Sequence, residues 1–300
     1  MEAPVLEIQN LTKTYGRITA ISDLSLKVFP GEICGILGPN GSGKTTTLGI
    51  LLDILKADRG GYIWFGEHPT ASQRRKIGSL LEMPIFYPHL SAVNNLKIIA
   101  DIKETSYNKI DELLSVVGLI ERKKSKYKTY SLGMKQRLAI AAALIGDPRV
   151  LILDEPTNGL DPKGIAEMRD LITTIGKQGI TIILASHLLD EVQKICTHVV
   201  VLNKGKKLGN GKVSDVLNTS PAIELAANDM EKLEAAAIQS GFFNSVKKEN
   251  DLLVATMDRE LKQEDLNKYL ADKGIFLTHI SMRKKSLEKY FLDLTSGDDD

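Results

Sequence analysis

The stretch Gly38-Pro39-Asn40-Gly41-Ser42-Gly43-Lys44-Thr45 constrains this chain more than any other. It fits G-x-x-x-x-G-K-[ST], a loop that wraps phosphate groups between a strand and a helix. The chemistry dictates these residue types. Glycines let successive backbone N–H groups turn inward around phosphate oxygens without Cβ clashes. A helix beginning at Thr45 aims its positive end at the same anion. Lys44 adds a point charge for the β- and γ-phosphates, and the Thr45 hydroxyl reaches Mg²⁺. The flanks give the required context: Glu32–Leu37 reads as a short buried strand and Thr45–Ile54 has helical spacing. Gly38, Pro39, Asn40, Gly41, Ser42, Gly43, Lys44, Thr45 and Thr46 are therefore the expected phosphate-binding residues.

Such a loop needs a second Mg²⁺ partner at the end of another strand. Val150-Leu151-Ile152-Leu153 is an apolar run that buries a strand, and Asp154 and Glu155 emerge at its end. Neighbouring side chains on a strand point to opposite faces, so the two acids need not share a role. Asp154 is the better metal anchor. Glu155 is the expected general base for an attacking water, although on position alone it could be a surface acid beside the turn-forming Pro156.

The rest of the chain supports a parallel sheet covered on both faces. Val5–Leu11 and Ile21–Val28 alternate apolar and polar residues as half-buried strands do. Ile63–Phe65, Ile77–Leu81 and Ile180–Ala185 read as further strands, the last ending in Ser186-His187. Ala92–Ile102, Asn108–Gly118 and Ser131–Ile145 have helical spacing, and Gly-Lys dipeptides at 204–212 read as closing turns. Near-continuous apolar strands alternating with helices are the pattern of an α/β fold. Beyond Pro221 the order becomes strand Ile223–Ala226, helix Asp229–Gln239, strand Leu252–Thr256, helix Glu264–Lys273, strand Ile275–Ile280 and helix Ser286–Leu294. Charge shifts at the same place: residues 221–300 carry 11 basic and 16 acidic residues, whereas the first 220 carry 28 and 22. Two domains are expected, 1–220 and a small α+β module at 221–300.

Composition removes several classes. A net charge of +1 gives no global reason to bind nucleic acid. The two cysteines, Cys34 and Cys196, sit in apolar surroundings and suggest a reduced compartment. The first residues lack the basic-then-apolar pattern of a signal peptide. The longest apolar run, Leu138–Ile145, falls well short of the roughly 20 residues that cross a bilayer. If this chain works at a membrane, another chain supplies the pore.

The motif order now carries a resemblance. After the phosphate loop come Tyr130-Ser131-Leu132-Gly133-Met134-Lys135-Gln136-Arg137, Leu153-Asp154-Glu155-Pro156, Gly159-Leu160-Asp161-Pro162 and Ser186-His187. Over about residues 4–215 this resembles an ABC transporter ATP-binding subunit. The Ser131–Met134 variant and Phe86-Tyr87-Pro88 resemble the bacitracin-export, ABC-2 type, which pairs with a separate permease.

The resemblance implies a P-loop NTPase core of parallel sheet with an antiparallel β subdomain and a helical subdomain. It implies ATP and Mg²⁺ as ligands, and a homodimer or heterodimer of ATPase subunits at the cytoplasmic face of the membrane. A permease would attach near residues 83–100 and use hydrolysis for export. Tyr15 would stack on adenine. Ser131 and Gly133 would reach the γ-phosphate held by a second subunit, and Ser131 is also a good N-cap for the following helix. Asp161 would lie in the turn that links the two sites. His187 would hydrogen-bond the γ-phosphate and fix the water with Glu155.

Two departures stand out. Leu132 and Met134 replace a glycine and a glutamine of the common signature. Glu82 replaces the glutamine that normally touches Mg²⁺ and the water, which makes it an altered catalytic and metal-site residue. The competing readings are a soluble ABC ATPase acting on ribosomes or nucleic acid, a P-loop GTPase or kinase, and a regulatory module without turnover. Against the first stand a single ATPase unit and the absence of a sustained heptad between Thr45 and Ser131. Against the second stands the signature itself, and against the third the presence of both Glu155 and His187.

Overall fold

A computed structural model describes residues 2–81, 85–218, 222–256, 263–283 and 286–295. The chain divides into two compact units, Met1–Val213 with Phe291–Asp300, and Ser214–Tyr290. The break expected at Pro221 lies outside the described residues.

The first unit opens with β1 (Leu6–Tyr15), β2 (Ile18–Val28), β3 (Ile33–Leu37), α1 (Lys44–Leu51), β4 (Arg59–Trp64), α2 (Ala71–Arg74) and β5 (Ile77–Leu80). Three helices follow, α3 (Ala92–Ile102), α4 (Ile110–Val116) and α5 (Leu132–Leu144). It continues through β6 (Val150–Asp154), α6 (Pro162–Lys177), β7 (Thr181–Ser186), α7 (Leu189–Ile195), β8 (His198–Asn203), β9 (Lys206–Lys212) and, across the division, α8 (Val213–Asn218).

A six-stranded sheet runs β5-β6-β7-β3-β8-β9, parallel except for β9. Strands β3, β6 and β7 are buried at every position, as a sheet covered on both faces requires. Strands β2-β1-β4 form a separate antiparallel sheet. One apolar core joins them, with Leu6, Ile8 and Trp64 meeting Ile36, Leu48 and Ile152. Helix α1 lies in that core. The Trp64 indole N–H donates to Leu51 O at 3.2 Å, so a fully buried aromatic caps the helix end while filling space. The helices α3, α4 and α5 pack on one another through fully buried Leu96, Leu114 and Leu138.

Residues 204–212, expected as closing turns, instead carry most of the β8–β9 hairpin. His198–Asn203 pairs with Lys206–Lys212 at the sheet edge, where lysines and glycines are tolerated because one side faces solvent.

The second unit holds β10 (Ala222–Ala227), α9 (Met230–Gln239), β11 (Ser245–Glu249), β12 (Leu252–Thr256), α10 (Gln263–Asp272) and β13 (Leu277–Arg283). Helix α11 (Leu287–Thr295) follows. The antiparallel order β11-β12-β10-β13 with helices after β10 and β12 is the β-α-β-β-α-β ferredoxin-like arrangement. Its core packs Ile223, Leu225, Leu253 and Ala255 against Leu233, Leu266 and Leu270.

Candidate active site

The site gathers at the carboxyl ends of neighbouring parallel strands, where open α/β sheets bind ligands. Leu37 at the end of β3 pairs with Ser186 at the end of β7, and Asp154 at the end of β6 pairs with Ala185. The sheet order therefore sets the phosphate loop, Ser186-His187 and Asp154-Glu155 side by side.

The loop residues Gly38 to Gly43 lead straight into α1. Gly43 is the helix N-cap with φ 103°, and an added Cβ would lie 2.4 Å from Ala20 O, so only glycine fits. No side chain caps α1 and no acid occupies its first turn. Its positive end is left to an external anion. Lys44, 6% exposed, donates from Nζ to Gly38 O at 2.8 Å and Pro39 O at 3.2 Å. Ser42 is buried, Thr45 exposed and Thr46 half-buried.

Glu155 sits with φ 48°, a left-handed backbone. Holding a non-glycine residue there costs about 1–3 kcal/mol, and such strain gathers at functional sites. The strained turn is fixed on both sides: Glu155 N–H donates to Ala185 O and its carbonyl accepts from Asn158 N–H, each at 3.0 Å. Its carboxylate lies between two partners. Oε1 is 3.6 Å from Lys44 Nζ, and Oε2 is 2.9 Å from His187 Nδ1. With Nδ1–H donating to Glu155, the far nitrogen Nε2 donates to a phosphate only when the imidazole is protonated. A carboxylate held by a cation and an imidazole, beside an uncapped helix end, can orient a water toward a bound phosphate and take its proton.

Asp154 is 3% exposed at the end of β6. Its carboxylate and the Thr45 hydroxyl are hard oxygen donors. Mg²⁺ takes one or two such protein ligands and completes its shell with water and substrate phosphate, so these residues fit it. Glu82, expected to join them, lies outside the described residues.

A second cluster forms where α5 and α6 begin. Ser131 caps α5, its Oγ accepting from Met134 N–H at 3.3 Å. Asp161 caps α6, its Oδ1 accepting from Gly164 N–H at 2.9 Å. None of Ser131, Gly133 or Asp161 touches Lys44, Glu155 or His187 among the described contacts. Tyr15, 46% exposed, ends β1 with Lys13 Nζ 5.4 Å from its ring centroid.

One residue of this cluster escapes the sequence reading. Gln136 is 6% exposed and donates from Nε2 to Asn158 O at 3.1 Å, tying α5 to the loop between Glu155 and Asp161. In the sequence it stands only within the stretch Tyr130–Arg137, with no role expected of it.

Comparison with known proteins agrees with this geometry. A family model described as ABC transporter matches residues 21–158. The bacitracin transport ATP-binding protein BcrA of Bacillus licheniformis is 38% identical over 299 residues, 98% of each chain. The lantibiotic transport ATP-binding protein SrtF of Streptococcus pyogenes is 42% identical over 202 residues, 67% of this chain and 88% of its own. Among solved structures, cbiO1 from Clostridium perfringens, part of the ABC transporter complex cbiONQ, superposes with a TM-score of 0.65 at 31% identity. That match covers 72% of this chain and 91% of cbiO1. The ADP conformation of MJ1267, an ATP-binding cassette of an ABC transporter, gives the same TM-score at 24% identity and supports the fold.

Proposed function

The chain belongs to the family of ABC transporter ATP-binding subunits, and from that membership we propose that two ATPase subunits close head to tail around ATP to drive a separate permease, in export. The partner is a second copy or a relative. The names of the relatives favour export, since one transports bacitracin and another a lantibiotic. No helix among the described residues is long and apolar enough to cross a membrane. In the proposed reading the pore lies in another chain, and this one sits peripherally at the cytoplasmic face.

The observation that carries the chemistry is Glu155 held between Lys44 and His187. Loop amides and Lys44 bind the triphosphate, and Tyr15 stacks on the base. Glu155 orients a water and takes its proton as the water oxygen bonds to the γ-phosphorus. The bond to the β–γ bridging oxygen breaks and ADP leaves. His187 meets Glu155 through Nδ1 and presents Nε2 to the γ-phosphate. When bound, Mg²⁺ neutralises phosphate charge, and Asp154, Thr45 and Glu82 are the residues that would hold it. Ser131 and Gly133 serve the triphosphate of the opposing subunit, and the turn at Asp161 links the two sites. Residues 1–220 form the ATPase domain and 221–300 an accessory module.

The test is Glu155→Gln. Losing a positioned base lowers turnover on the order of 10²–10⁴-fold. ATP binding persists, because Lys44 keeps its contacts to Gly38 and Pro39. Hydrolysis at the wild-type rate by this variant would remove Glu155 from the mechanism.

A further inference from the structure

The helical segment carries a cationic surface that ATP chemistry does not use. Residues 121–128 read Glu-Arg-Lys-Lys-Ser-Lys-Tyr-Lys, five basic residues against one acid. Lys123 is neutralised by Asp111 at 2.6 Å. Arg122, Lys124, Lys126 and Lys128 are exposed and form no ion pair among the described residues. Ser91, Asn94, Asp111, Lys123, Lys124 and Lys126 border a surface cavity of about 570 Å³.

This surface is held in place. Tyr127 N–H donates to Leu90 O and Lys128 N–H to Pro88 O, each at 2.9 Å, and Val93 N–H donates to Lys123 O at 3.3 Å. Beneath, the Phe86 and Tyr127 rings meet edge to face at 5.2 Å. Beside the cations stand two apolar tips, Ile85 at 94% exposure and Tyr87 at 54%. Tyr87 leans on His89, ring centroids 6.1 Å apart. The basic turn and the apolar tips thus belong to one backbone-stitched surface.

We propose that this surface docks on the anionic phospholipid headgroups of the bilayer, alongside the permease contact. Unpaired lysines gathered on one exposed turn are the composition of an electrostatic anchor on an anionic leaflet, while Ile85 and Tyr87 fall within the stretch 83–100 given to the permease, so the two contacts lie side by side. Lysine is depleted from protein–protein interfaces, where a fixed surface must match each charge, but a fluid headgroup layer supplies phosphates wherever the ammonium groups reach. The inference rests on the reading of this chain as a peripheral membrane subunit, and its test does not depend on ATP turnover.

The experiment is vesicle flotation of the full chain. Wild type is compared with the triple variant Lys124→Gln, Lys126→Gln, Lys128→Gln on vesicles rich in phosphatidylglycerol and on pure phosphatidylcholine. Each lysine near an anionic surface strengthens binding about fivefold, so the triple variant loses on the order of 100-fold on anionic vesicles. Raising salt from about 0.1 M to about 1 M weakens wild-type binding as the Debye length falls from about 10 Å to about 3 Å. ATP turnover of the triple variant in solution equals that of the wild type. Equal wild-type binding to both vesicles, or equal binding by wild type and variant, overturns the proposal. So does a variant that keeps its vesicle binding but loses a co-purifying membrane protein in detergent, since the lysines would then contact protein. Absence of ATP turnover in the wild type would refute the ATPase reading and leave the vesicle result standing.

Discussion

Replacing Gln136 with methionine separates two things that most substitutions near a catalytic site confuse, stability and positioning. Gln136 donates from Nε2 to Asn158 O at 3.1 Å, while its Oε1 is buried without a partner. Methionine keeps the length and volume of the side chain. Removing the donor leaves the Asn158 carbonyl short of a partner, which costs about 1–3 kcal/mol if that oxygen stays dry. Removing the orphaned Oε1 returns a desolvation penalty of the same size. The two offset, so the net change is within about 1 kcal/mol, or a shift of about 2–4 °C in Tm for a unit of this size. Positioning has no such offset. Close to the junction Gly133 faces Leu160 and Gly159 faces Leu132, both apolar, and farther along the Arg137 guanidinium lies 3.6 Å from the Glu167 carboxylate, joining α5 to α6. The apolar contacts have no preferred direction and the ion pair is long, so without Gln136 the turn at Asp161 is held less tightly. A displacement of about 1 Å can lower turnover on the order of 100-fold. The assay is steady-state ATP hydrolysis beside thermal unfolding of the same preparations. Gln136→Met turning over at the wild-type rate would refute the argument. A Tm fall well beyond about 4 °C, with activity lost in step, would equally refute it, because Gln136 would then be a stability residue only.

Three other outcomes follow from the structure. Lys103 Nζ donates to Ile145 O at 2.8 Å and Ala143 O at 3.3 Å, closing the carboxyl end of α5, so Lys103→Met should lose about 1.5–3 kcal/mol in chemical denaturation. Burial pushes the Cys34 thiol up to about 12 and raises Cys196 well above its ordinary value, so the native chain should resist thiol labelling at mildly alkaline pH and gain both labels once unfolded. Asp58 is held down to about 2 by the Thr14 hydroxyl and N–H and by Lys13. Because its folded value is depressed, its contribution is present above pH 3.8 and lost as pH falls towards about 2. In Asp58→Asn that acid-dependent loss should shrink, as read by thermal melts across the same range.

The strand, loop and helix around Lys44 were legible because each is specified locally: an apolar run, glycines at fixed spacing and a helical pattern. Asp154 and Glu155 were legible for the same reason, since they close a buried run, whereas His187 also ends a buried run but drew its expected role from the resemblance of the motif order. What escaped was specified by pairing at a distance. Strand β11, Ser-Val-Lys-Lys-Glu, has no apolar alternation worth the name, yet it forms the edge of the second unit by pairing with β12. Strand β9 is lysine- and glycine-rich and depends on β8 in the same way. Gln136 meets a backbone carbonyl 22 positions away, and no local rule announces such a bond. The left-handed turn at Glu155 was also invisible, because its neighbours Ala185 and Asn158 impose it.

The departures in the signature make sense within this geometry. Ser131 already accepts the Met134 N–H, so position 134 gives its backbone to the cap and its side chain need not be glutamine for the helix to begin. Ser131 acts there only as an acceptor, which leaves its own hydroxyl proton to donate to an anion. Leu132 is matched by Gly159, whose φ of 74° and lack of a Cβ leave room for the leucine side chain. The bulk gained at 132 is accommodated on the opposing loop, and α5 still begins at Leu132. On the proposed reading, what the signature would offer a phosphate is the start of α5: its positive end, the Ser131 hydroxyl and the bare backbone at Gly133. Each of these survives the substitutions, so the departures at Leu132 and Met134 do not by themselves count against the proposed role of the signature.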